Sequence, residues 1–133
     1  VLNKLDSNHV LVVNAEDGMD EISVGAPTHV AELKDGQVRR FSIQPEDFSV
    51  RRSSINEIKA RDTAESLAII RSVLEDSPGP ARDIVALNAG AAIYTSGLVD
   101  TLKEGVTRAS GAIASGEARN RLDRLVILSQ GFD

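Results

Sequence analysis

"HVLVVNAEDGMDEIS", residues 9–23, decides how this chain folds and where its chemistry would sit. Its first half, HVLVVN (9–14), is a near-continuous run of Val and Leu. Such side chains suit an extended backbone, and a run without polar alternation predicts a strand buried on both faces, as in a parallel sheet. Its second half gathers Glu16, Asp17, Asp20 and Glu21 around Gly18, beyond the carboxyl end of that strand. Ligands of open α/β sheets collect at that place.

Four like charges in six positions repel one another, so the loop has two readings. Water can screen it as an ordinary surface loop, the simpler reading on spacing alone. Alternatively something positive belongs there. Mg2+ takes one or two carboxylates plus substrate phosphates and keeps waters for the rest. Adjacent Asp20 and Glu21 would serve it, with Gly18 letting the backbone turn tightly before them.

Outward from this stretch, the chain opens on VLNKL, where Val1, Leu2 and Leu5 share one face of what reads as the end of a helix. A domain seldom begins so, and the expectation is the trailing part of a longer protein. Downstream, THVAELKDGQVRRFSI (28–43) is two short runs flanking Asp35-Gly36, a strong hairpin signal because Gly36 adopts positive φ cheaply. Residues 44–60, with Pro45, RRSS (51–54) and mixed charges, read as an irregular connection. Four helices are expected after it. Asp62 and Glu65 fit a capping pattern before Ala64, Leu67, Ile70 and Leu74 at helical spacing, and SPGP (77–80) ends that element. DIVAL (83–87) also fits a short strand, but Ile84, Leu87, Ala91 and Tyr94 mark one helical face and the alanines favour a second helix. Thr101 and Glu104 form a capping box for a third, with Leu102, Val106, Ala109 and Ile113 on one stripe. Ser115 is expected to cap the last, which carries Leu122, Leu125 and Val126.

The 133 residues suffice for one sizeable core, which an aromatic content of 3% leaves to Leu, Ile, Val and Ala. A net charge of −5 argues against a nucleic-acid binder, which needs a clustered basic face. No stretch approaches the roughly 20 apolar residues of a membrane span. Without cysteine there is neither a disulfide framework nor a thiolate metal site, and a reducing, cytoplasmic setting fits. One buried strand of parallel type, one hairpin and about four helices make an α/β inventory whose sheet is incomplete without upstream chain.

The strings LVVNAEDGMDEIS and PTHVAELKDG resemble anthranilate phosphoribosyltransferases, a likeness continuing through DTAESLAIIRSVL, RDIVALNAGAAIYTSG and EGVTRASGAIASGEARNRLDRLV. It covers essentially the whole chain, in order. The resemblance implies the C-terminal segment of a nucleoside phosphorylase/phosphoribosyltransferase-like α/β domain, residues 1–133. It further implies transfer of phosphoribosyl from phosphoribosyl pyrophosphate to anthranilate in tryptophan biosynthesis, with Mg2+ on the diphosphate and a homodimeric full-length enzyme. The family's consecutive Asp-Glu pair, matching Asp20 and Glu21 here, holds the magnesium. The family's glycine-rich G-T-G-G-D loop and helical N-terminal domain have no match in this chain, so the fragment alone is expected to be inactive. Asn14 stands where relatives often carry His.

Other polar residues have blander readings. Glu16 and Asp17 read as solvated loop residues, with water-mediated support of a metal as the alternative. His9 and His29 lack a second histidine nearby and read as strand-edge residues, not ligands. Asn88, inside a helical run, is expected to bond a loop or a buried backbone group before it touches substrate. Ser23 reads as a cap, with phosphate contact the alternative; RRSS reads as a solvated loop, lacking a glycine nest. A pyrimidine nucleoside phosphorylase relative and a non-catalytic nucleic-acid-binding homologue are the competing functions. DGMDEIS together with AELKDG speaks against the first, and the acidic balance against the second.

Overall fold

The structure is a computed structural model that describes Lys4 and residues 6–132. The helical stub expected around Val1, Leu2 and Leu5 lies outside the described residues. Among those described, three strands, β1 (His9–Ala15), β2 (Thr28–Lys34) and β3 (Gln37–Ile43), form an antiparallel sheet in the order β1-β2-β3. Four helices follow: α1 (Thr63–Leu74), α2 (Pro80–Thr95), α3 (Leu102–Ala114) and α4 (Glu117–Ser129).

The hairpin between β2 and β3 forms as its turn demands. Asp35 and Gly36 both take positive φ, 51° and 73°, the mirror-image turn whose twist matches the flanking strands. The pairing sets Leu11 opposite Glu32 and Glu32 opposite Arg39. Residues 44–60 hold only two 3-10 turns, Pro45–Phe48 and Ile55–Ile58, the second capped by Ser54. Arg52 of the RRSS stretch pairs with Glu46, in keeping with a solvated loop.

The parallel-type pairing expected of β1 is corrected among the described residues. Its described partner is antiparallel β2, and Val12 is 54% exposed. Alternate residues of a strand face opposite sides. Leu11 and Val13 pack on the core while Val12 points away from it, so an unbroken apolar run covers one buried face and one open face.

The core lies between the sheet and α2–α3. Ile22, Val24, Val30, Ile43, Ile84, Leu87 and Val106 are buried together. Burying a side chain such as Leu87 stabilises the fold by about 1.5–3 kcal/mol. The two helices meet backbone to backbone. A Cβ added to Gly90 would lie 2.5 Å from the Val106 nitrogen, and one on Gly105 would strike the Gly90 carbonyl. Only hydrogen fits at that crossing.

Caps behave as expected for two helices. Asp62 accepts from the Glu65 N–H at 2.8 Å, and Thr101 with Glu104 makes a reciprocal box. The inward stripes of α2 and α3 also stand. Those of α1 and α4 do not. In α1 the buried residue is Val73, while Leu67 and Ile70 are each 44% exposed. Both periodic sets fit a helix, and tertiary contact with α2 and α3 selects the one carrying Val73. Ser115 closes α3, and Gly116, in the left-handed region, opens α4. Leu125 and Val126 lie exposed on that last helix.

Candidate functional site

The acidic loop runs from the end of β1 to the start of β2 and is folded by its own backbone. The Ala15 N–H donates to the Met19 carbonyl at 3.0 Å, Gly18 N–H returns to the Ala15 carbonyl, and Glu16 N–H reaches Pro27. Gly18 turns at φ 90°. Asp20 therefore emerges exposed and Glu21 half-buried. Neither carboxylate has a hydrogen-bond or ion-pair partner among the described residues. Burial first, and the Asp20 charge second, push the Glu21 carboxyl above its usual range.

The four acids of the loop separate into two kinds. Asp17 accepts from the Ser23 hydroxyl at 2.6 Å, and that hydroxyl accepts from the Gly25 N–H at 2.8 Å. Ser23 is fully buried, so Asp17 and Ser23 brace the loop and Ser23 is a cap, as expected. Glu16 lies 3.5 Å from His29, both well exposed. Asp17 is thus more tied down than a solvated loop residue. Asp20 and Glu21 remain with free oxygens.

Asn88 of α2 holds the residue that follows the pair. Its Oδ1 accepts from the Ile22 N–H at 2.9 Å, and its Nδ2 donates to the Ile22 carbonyl at 2.9 Å and to the Ile84 carbonyl at 3.0 Å. The expected role for Asn88, bonding a loop, is what is found.

The donor set suits a hard cation needing further oxygens. Among the described residues no group of three or more His, Cys, Asp or Glu could hold a metal ion. Two adjacent carboxylates fit a divalent ion whose shell is completed by phosphate and water, not a closed protein cage.

A second polar cluster escaped the sequence reading. Glu32 of β2 is 1% exposed and receives the Tyr94 hydroxyl at 2.6 Å, Arg39 at 2.8 Å and the His9 ring at 3.0 Å. Burial pushes its carboxyl up, but the hydrogen bonds from Tyr94, His9 and Arg39 outweigh that and hold it below its usual value. The Tyr94 hydroxyl is pushed up to about 12, by burial and then by Glu32. His9 packs its ring edge-on to Tyr94 at 4.6 Å, and the Lys34 ammonium lies 4.9 Å from the Tyr94 ring centre. The available signal was register: alternation along THVAELK puts Glu32 on the face of Val30 and Thr28, the inward one. His9 is therefore an inward strand residue rather than a ligand. His29 is exposed beside Ser42.

Known proteins resemble this chain over most of its length. The family profile described as "Glycosyl transferase family, a/b domain" matches residues 1–119. The anthranilate phosphoribosyltransferase of Methylococcus capsulatus is 54% identical over 132 residues, 99% of this chain and 39% of the relative. That of Thioalkalivibrio sulfidiphilus is 55% identical over 126 residues, 95% of this chain and 37% of the relative. The chain thus spans about two fifths of the length of these relatives. Among solved structures, the anthranilate phosphoribosyltransferase of Thermus thermophilus superposes with a TM-score of 0.80 at 37% identity, over 90% of this chain and 35% of that one. The Saccharomyces cerevisiae enzyme, solved in complex with PRPP and Mg, shares the fold with a TM-score of 0.73 at 21% identity, over 85% of this chain and 33% of that one. Neither competing function is favoured by these relatives. No helix among the described residues is long and apolar enough to cross a membrane.

Proposed function

This chain belongs to the glycosyl transferase family, a/b domain, and on that premise we propose that it is the part of an anthranilate phosphoribosyltransferase that supplies the metal-holding carboxylates. The observation that carries the reading is the Asp20–Glu21 pair, adjacent, unpartnered among the described residues and set beyond the carboxyl end of β1. The full-length enzyme joins the anthranilate nitrogen to C1 of phosphoribosyl pyrophosphate. The C1–O bond breaks, pyrophosphate leaves with the bonding electron pair, and the amine gives up a proton.

Mg2+, when bound, supplies positive charge to the departing diphosphate. Asp20 and Glu21 hold that charge at a fixed place, where it counts more in the transition state than in the ground state. Their mutual repulsion, which adds to burial in raising the Glu21 carboxyl, would be relieved by a bound cation. Anthranilate is a weakly basic amine, so placing it matters more than deprotonating it. Two carboxylates are a partial coordination shell, and these 133 residues by themselves form no product. In the whole enzyme the proposal extends to a homodimer working in the cytoplasm on the route to tryptophan.

Asp20→Asn together with Glu21→Gln, made in the full-length enzyme, tests the reading. Turnover falls by roughly 100-fold or more, since the lost charge stabilisation is worth several kcal/mol, while the protein stays folded. Unchanged kinetics would remove both residues from the mechanism. Product formed by the isolated chain would refute its inactivity.

A further inference from the structure

We propose that Asn88 is a positioning residue for the Asp20–Glu21 pair, acting through the backbone of Ile22. The inference rests on the reading of that pair as the metal-holding carboxylates. Side chains without a hydrogen-bond or ion-pair partner among the described residues are aimed chiefly by the backbone on either side. On the N-terminal side the brace is Asp17 with Ser23, 2.6 Å apart. On the C-terminal side it is Asn88, which grips both the N–H and the carbonyl of Ile22 at 2.9 Å.

The amide suits the task for a chemical reason. The oxygen accepts one bond and the nitrogen uses both of its donors, the second donation reaching the Ile84 carbonyl at 3.0 Å within α2 itself. That second donation anchors the amide to its own helix, so the orientation of the Ile22 peptide follows that of α2. The helix is in turn immobilised against α3 at the Gly90–Gly105 crossing, starting two residues beyond Asn88. Ile22 is also pinned by its buried side chain, 3% exposed beside Leu87. Burial holds its place while Asn88 sets the direction of its peptide, and with it the direction in which Glu21 leaves the loop.

Asn88→Ala in the full-length enzyme removes the grip without touching a carboxylate. The Mg2+ concentration giving half-maximal turnover rises about tenfold, in line with the usual effect of losing a group that orients metal ligands, and the Mg2+ dissociation constant read by calorimetry in the presence of pyrophosphate rises by the same factor, while KM for anthranilate stays unchanged. In the Asp20→Asn, Glu21→Gln background the same substitution changes the Mg2+ requirement less than twofold, because no metal-holding pair is left to orient. Should the alanine variant fail to fold, Asn88→Asp replaces it, preserving size and the bond from the Ile22 N–H but losing both donations. An unchanged Mg2+ requirement in a folded variant overturns the proposal, as does an equal fold-change in both backgrounds. If the Asp20/Glu21 double variant itself leaves the Mg2+ requirement unaltered, the reading of the pair falls instead, so the two failures are told apart.

Discussion

Two glutamates lie near the first strand and are treated in opposite ways. Glu32 faces Leu11 across the β1–β2 ladder and is buried with three partners: a tyrosine hydroxyl, a guanidinium and an imidazole. Glu21 sits in the loop beyond β1, half-buried, with a like charge for a neighbour and no partner among the described residues. Buried charge is costly unless paired. Pairing marks Glu32 as part of the scaffold, and the lack of it marks Glu21 as a group awaiting something from outside. Helix α2 serves both ends, giving Tyr94 to Glu32 and Asn88 to the loop.

Breaking α2 away from its support should therefore erase the contrast. Gly105→Ala drives a methyl group into the Gly90 carbonyl, backbone against backbone with no flexible side chain to yield. The expected loss is about 4 kcal/mol, above the usual range for overpacking, read as a collapse of the urea midpoint. A loss under 1 kcal/mol would mean that the helices slide freely, and that neither end is held by α2. Glu32→Ala should come next, at about 3 kcal/mol, the low end for breaking a buried pair because the Arg39 head can reach water. Tyr94→Phe removes one hydrogen bond to the same carboxylate and costs about 1.5 kcal/mol.

Acid provides a reversible version of the same experiment. The folded Glu32 carboxyl titrates below its usual value near 4.5. Its contribution is therefore complete above the unfolded value and is lost as pH falls through the lower folded one. Stability of the parent protein should drop in that window, and Glu32→Gln should flatten the drop. Identical acid profiles for the two proteins would show that the cluster of His9, Tyr94 and Arg39 does not favour the charged form.

How much of this could be read beforehand depended on whether a feature was local. The hairpin turn at Asp35-Gly36, the Thr101–Glu104 box and the Asp62 cap each lie within a few residues, and the structure has them all. The acidic loop was legible as a cluster, but its division into Asp17 as a brace and Asp20–Glu21 as open groups was not. That division depends on Ser23 folding back onto Asp17 and on Asn88, 66 positions away from Ile22. The α1 stripe failed for the same reason: Leu67 and Ile70 satisfy a helical period as well as Val73 does, and contact with α2 and α3 chooses between them. The run in β1 misled because period 2 is silent when both faces are apolar. Val12 is hydrophobic and exposed, and nothing local marks it so.

The smallest expected effect cuts closest to the comparison. If Glu21 is held open for a ligand, its charge is a burden on the unliganded fold. Glu21→Gln should then raise stability, by about 0.5 kcal/mol, the size of a partly exposed charge interaction, since it removes one of two adjacent negative charges and no hydrogen bond. Glu32→Gln should lower it under the same conditions. Opposite signs for one chemical change at a loop glutamate and a strand glutamate are what a functional group and a scaffold group require, because sites are built at the expense of the resting state. A stability loss for Glu21→Gln would place that carboxylate among the fold's own supports, as Glu32 is, and the unpartnered geometry from which the metal-holding role was argued would no longer distinguish the two.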